Sequence, residues 1–129
     1  LNQMVMARVA ETTYEANVGG AIALYGTRRG VMMAALEAAM PKGVEWTHPE
    51  GGLFVWLTLP TGIDGAELLA RAVAEERVAF VPGKAFFATD AMANTIRLNF
   101  SSANEAQITE GVSRLGRLIA RMAGEAAAA

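Results

Sequence analysis

The sequence predicts an α+β fold, a two-layer sandwich with a small, mostly antiparallel sheet of about four strands and helices covering one face. Three observations carry this. Long segments with apolar residues at helical spacing open and close the chain, short β-branched and aromatic runs fill its middle, and turns carrying Gly and Pro separate them. With 129 residues and no cysteine, the chain has the size of one domain, read as spanning 1–129, and holds its core without disulfides.

Residues 3–17 are helix-permissive, with Met6, Val9 and Ala10 recurring at helical spacing, and Asn17-Val18-Gly19-Gly20 is read as the stop. A second helix is predicted over 21–40, with Tyr25, Met32, Leu36 and Met40 on one stripe and Pro41-Lys42-Gly43 ending it. Residues 44–47 and 53–59 read as two strands around His48-Pro49-Glu50-Gly51-Gly52. Asp64 followed by Glu67 resembles a capping box ahead of a stripe at Leu68, Leu69, Ala72 and Val73, predicting a third helix that ends near Glu76. Residues 78–81 form a short strand stopped by Pro82-Gly83, and 95–100 form another. Ser102 and Glu105 make a second capping pair. The last helix then carries Ile108, Val112, Leu115, Ile119 and Met122 on one stripe, and its alanine tail after Glu125 is predicted to fray. These stripes cover one face of the sheet and leave the other to water or to a part outside the chain.

Composition excludes several functions. With 13 acidic and 11 basic side chains the net charge is −2, so no field gathers nucleic acid or an anionic membrane. The longest apolar runs, 31–36 and 53–57, fall far short of the roughly 20 residues that cross a bilayer, and a soluble cytoplasmic protein is expected. The start at Leu1-Asn2-Gln3 reads as a piece of something longer, and a hydrophobic content of 53% predicts apolar surface facing a partner. His48 is the single histidine and makes no metal site. Met32, Met33, Met40 and Trp56 are assigned to the core, and Trp46 to a half-exposed position. Glu75 and Glu76 read as a solvated helix end beside Arg77, and Arg114, Arg117 and Arg121 as the outer face of the last helix.

In Ile96-Arg97-Leu98-Asn99-Phe100-Ser101 the side chains alternate, placing Ile96, Leu98 and Phe100 on a core face and Arg97, Asn99 and Ser101 on a polar one. An arginine on a rigid strand presents a planar fork of donors that matches a carboxylate with two parallel hydrogen bonds. On the strand alone, an ordinary solvated arginine is the simpler reading.

Several segments in order change that balance. Tyr25-Gly26-Thr27-Arg28-Arg29 through Leu36, then Pro49-Glu50-Gly51-Gly52-Leu53-Phe54-Val55-Trp56-Leu57, then Val78-Ala79-Phe80-Val81-Pro82-Gly83 with Phe86 behind it, and finally the segment around Arg97 resemble the small domain of class I and II aminotransferases, of the fold-type-I pyridoxal-phosphate family. Each motif is weak alone, but four in order over about 80 residues are specific. The resemblance implies the C-terminal small domain of an enzyme that transfers an amino group between an α-amino acid and a 2-oxo acid, with Arg97 pairing with the substrate α-carboxylate. It implies pyridoxal phosphate in the parent protein, usually a homodimer, with the Schiff-base lysine in a large domain upstream of Leu1. Neither Lys42 nor Lys84 matches that lysine's position, so these residues alone are expected to bind no cofactor and to be inactive. Two other readings stay open: the aminotransferase-like effector half of a bacterial transcription regulator, and a free-standing binding module that dimerises through the open sheet face.

Overall fold

Two consecutive threonines set the first helix boundary. The computed structural model describes residues 1–88 and 92–128, and its first helix, α1, spans Asn2–Thr12. Thr12 Oγ1 donates to Arg8 O at 2.6 Å and Thr13 Oγ1 to Val9 O at 3.1 Å. Such back-bonding by β-branched residues weakens a helix, and Thr13 leaves it at φ −132°. Helix α2, Tyr14–Ala39, begins at once and runs through Gly19 and Gly20. The predicted stop at 17–20 is therefore corrected. A glycine terminates a helix by adopting positive φ, and among the described residues only Gly43, Gly52 and Gly62 do so among the glycines.

The remaining elements sit close to their predicted places. They are β1 (Glu45–Trp46), β2 (Phe54–Thr58), α3 (Gly65–Arg71) continued by a wide π turn at Ala72–Glu76, β3 (Val81–Pro82), a 3-10 turn at Gly83–Phe86, β4 (Thr95–Asn99) and α4 (Glu105–Ala128). Asp64 caps α3 as expected, its carboxylate accepting from the amides of Ala66 and Glu67 at 2.7 and 3.1 Å. The cap of α4 lies two residues beyond the predicted Ser102 and Glu105. Asn104 Oδ1 accepts from the Gln107 amide, and Gln107 Oε1 accepts from the Asn104 amide, both at 2.9 Å. A reciprocal pair needs an acceptor at each end, and the amide side chains of Asn104 and Gln107 supply both. The tail also differs from expectation, since α4 stays helical through Ala128. The third strand is shorter and later than predicted, taking Val81 and Pro82 only, because two residues suffice to pair with Arg97 and Ile96 before the turn begins.

The four strands form one antiparallel sheet in the order β1-β2-β4-β3. Val55, Leu57, Ile96, Leu98 and Phe100 point to the covered side and are buried there. Against them lie Met32 and Leu36 of α2, Leu68 of α3, and the predicted α4 stripe of Ile108, Val112, Leu115, Ile119 and Met122. Each such side chain stabilises the fold by about 1.5–3 kcal/mol through removal of apolar area from water. This is the two-layer α+β arrangement the periodicity implied. Where α4 crosses the end of α2, Gly116 brings the backbones together: a methyl group there would overlap the Ala39 carbonyl oxygen and lie 3.0 Å from its carbon. The opposite sheet face stays open. None of α1 is buried, leaving Met4, Val5, Met6 and Val9 exposed.

The ends of α3 and α4 are cross-linked by charge. Arg71 donates to Glu75 at 2.8 Å and to Glu125 at 2.7 Å, while Arg121 bonds Glu75 at 2.9 Å and Glu76 at 3.0 Å. Glu75 is exposed, as a solvated helix end implies, and Glu76 is part-buried; the pairing with Arg121 is what local pattern did not give, since the π turn places both glutamates toward α4, whose arginines recur every three or four residues. Hydrogen bonds from Arg71 first, and then Arg121, hold the Glu75 carboxyl below the usual range. Arg71 does the same for Glu125, and Arg114 for Glu110.

Candidate functional site

The open sheet face is built by the alternate residues of β2 and β4. With Trp56 opposite Arg97 and Phe54 opposite Asn99 in the ladder, these four side chains share the uncovered side. Trp56 is therefore corrected from core to open face, where it is half-buried; its neighbours Val55 and Leu57 take the inward positions, as period-two alternation requires.

One end of this face is roofed by the 3-10 turn. Gly83 permits it: a methyl there would overlap Thr95 Oγ1 and lie 2.8 Å from Trp56 Cζ2. The close approach buries Thr95 completely, and its hydroxyl donates to Met92 O at 2.8 Å. The turn then carries Phe86 to the Trp56 ring, with centroids 5.8 Å apart at 72°, and Phe87 follows at 5.7 Å in the same edge-on manner.

Arg97 lies at the centre. Its guanidinium carbon is 3.9 Å from the Phe54 ring centroid and 4.4 Å from that of Phe86, distances at which the negative ring face attracts a cation. Its Nε is buried with no hydrogen-bond partner, and among the described residues no acid pairs with the side chain. Beside it opens a concavity of about 380 Å³ lined by Phe54, Phe80, Val81, Asn99 and Ser102 along with Arg97 itself. An unpaired, part-buried guanidinium in a recess has the donors and charge to hold an anion, and a planar carboxylate fits its fork best.

The loops bordering this face are fixed by residues to which the sequence reading gave no role. Arg28 of α2 donates to the Ser101 carbonyl, and Arg29 donates to Pro49 O at 2.8 Å. Asn99 Oδ1 accepts from the Ser101 amide at 2.6 Å and from its hydroxyl at 2.8 Å, turning the chain away after β4. His48 is exposed in its loop, its ring 6.4 Å from that of Trp46. Among the described residues no three His, Cys, Asp or Glu side chains converge as metal ligands, and no helix is long and apolar enough to cross a membrane.

The same fold occurs in known proteins. Over residues 3–115 the chain matches the family of class I and II aminotransferases. The chain belongs to that family. It is 47% identical over 119 residues to aromatic-amino-acid aminotransferase 1 of Thermococcus litoralis, covering 92% of this chain and 28% of that relative. Among aminotransferase structures, it superposes on a multiple substrate aminotransferase of Thermococcus profundus with a TM-score of 0.86 and 46% identity, covering 92% of this chain and 29% of the other. It superposes on an α-aminoadipate aminotransferase of Thermus thermophilus, complexed with N-(5'-phosphopyridoxyl)-L-leucine, with a TM-score of 0.88 and 37% identity, covering 96% of this chain and 32% of the other. The chain thus spans somewhat under a third of these aminotransferases.

Proposed function

We propose that this chain is the C-terminal small domain of a pyridoxal-phosphate-dependent aminotransferase, in which Arg97 holds the α-carboxylate of the amino acid or 2-oxo acid. The observation that carries the reading is the unpaired Arg97 guanidinium, set on a rigid strand and opening onto a concavity on the uncovered sheet face. Membership of the aminotransferase family supports it, as does the pyridoxyl-leucine adduct in a structural relative.

The described residues do not make a cofactor cradle. Lys42 and Lys84 are both exposed, one in the turn after Pro41 and one on the 3-10 turn, and neither lines the concavity beside Arg97. The lysine and phosphate donors then belong to a large domain elsewhere in the protein, and these 129 residues are inactive alone. Their work is to anchor the carboxylate and to close the open face over the substrate, excluding water.

The test is Arg97→Lys in the full-length protein. Replacing a bidentate fork by a point charge lowers kcat/KM by about 2–5 kcal/mol, roughly 30-fold to several thousand-fold, with unchanged thermal stability. Wild-type kcat/KM in that variant would overturn the assignment.

A further inference from the structure

Arginine on an open sheet face ordinarily samples many rotamers, and fixing it costs up to about 2 kcal/mol of side-chain entropy when a ligand binds. Arg97 is already fixed. Phe54 reaches it diagonally along β2, since Trp56 is its direct partner in the ladder. Phe86 reaches it from the 3-10 turn, braced by the edge of Trp56. Neither ring is needed to fill the core: Phe54 is 39% and Phe86 50% exposed. The inner half of the guanidinium is closed off, since Nε is buried and has no partner. The outer Nη end is left as the part that an anion can meet.

We propose that Phe54 and Phe86 are positioning residues that orient Arg97 before substrate arrives, so that a carboxylate is taken end-on by its two Nη groups. This rests on the carboxylate-anchor reading above. The rings touch the guanidinium and act through it: they remove its conformational freedom, exclude water from its faces and leave its charge intact. A preorganised fork loses less on binding, so the benefit appears in substrate affinity.

The experiment uses the full-length protein, with the best amino donor found among the twenty common amino acids and 2-oxoglutarate as acceptor. Phe54→Leu and Phe86→Leu each lower kcat/KM by about 3- to 30-fold, mostly by raising KM for the donor, with kcat changed less than about threefold. Phe54→Tyr and Phe86→Tyr keep the ring face and stay within about twofold of wild type. In an Arg97→Met background the leucine substitutions cause no further loss, because the group they orient is gone. The clamp is overturned if the leucine variants keep wild-type kcat/KM, or if they lose the same fraction with and without Arg97. The two failures separate cleanly: Arg97→Met without effect, or no amino acid acting as donor, sinks the carboxylate reading and the clamp with it, whereas a large Arg97→Met loss beside silent phenylalanine variants sinks the clamp alone. Thermal melting of each variant identifies one that fails to fold, and the tyrosine variants keep the test decisive in that case.

Discussion

Gly83→Ala perturbs the roof of the site without touching Arg97. The methyl group would overlap Thr95 Oγ1 and come within 2.8 Å of both Thr95 Cβ and Trp56 Cζ2. Ordinary carbon contacts lie at about 3.5–4.0 Å, so the turn has to lift by roughly 1 Å. Thr95 cannot yield, being fully buried and bonded to Met92 O. Overpacking of this kind costs about 1–3 kcal/mol, which at a urea m-value of about 2 kcal/mol/M lowers the midpoint by about 1 M. The displacement also draws Phe86 and Phe87 off the Trp56 ring. In a Trp46→Phe background, where Trp56 is the sole tryptophan, its emission should shift to the red. Gly51→Ala is the control: nothing lies within 4 Å of its methyl position and its φ is ordinary, so stability changes by less than about 0.5 kcal/mol. A wild-type urea midpoint together with unaltered Trp56 emission in Gly83→Ala would refute the close-approach argument.

Two glycines of α4 should respond with opposite signs to the same substitution. Gly124→Ala meets open space and gains up to about 1 kcal/mol of helix propensity, whereas Gly116→Ala forces α4 off the Ala39 carbonyl and loses about 1–2 kcal/mol net; urea unfolding that ranks the two equally would contradict the packing described. The charge network predicts a pH dependence. Because the Glu75, Glu110 and Glu125 carboxyls are held below their ordinary range in the folded state, the stability they contribute is complete above that range and is lost as pH falls through it toward the lowered values. Urea midpoints measured from pH 7 to pH 3 should therefore fall less steeply for Glu75→Gln than for the wild type, and 1 M salt should narrow the difference. Equal pH slopes in the two proteins would show that the network is thermodynamically silent.

Much of the fold was legible because it follows from local rules. The stripe from Ile108 to Met122 needed only a period of 3.6, and the inward set Ile96, Leu98 and Phe100 only a period of two; all are buried. Asp64 was recognisable as a cap from its own chemistry and that of the residue three positions on. The misses have a common origin in choices between locally equivalent options. Gly19 and Gly20 can end a helix or lie within one, and the Thr12-Thr13 pair proved the stronger breaker. Asn104 with Gln107 competed with Ser102 and Glu105 for the same cap. Trp56 was assigned to the core from hydrophobicity, although alternation with Val55 and Leu57 already pointed it outward. Arg71 lies only four residues before Glu75, but Arg121, which bonds both Glu75 and Glu76, lies about 45 residues away on α4, beyond the reach of any local pattern.

By itself the sequence determined the order of the elements, the buried side of the sheet and the side that bears Arg97, since backbone periodicity ties each of these to near neighbours along the chain. Family motifs added the role proposed for that arginine. Only the tertiary structure brought Phe54 and Phe86 onto the guanidinium, let Gly83 rest on Thr95 and Trp56, left Nε without a partner and opened the recess beside it. Those contacts join residues from different strands and a turn, and their distances depend on packing across the sheet, which no spacing along a single chain segment specifies.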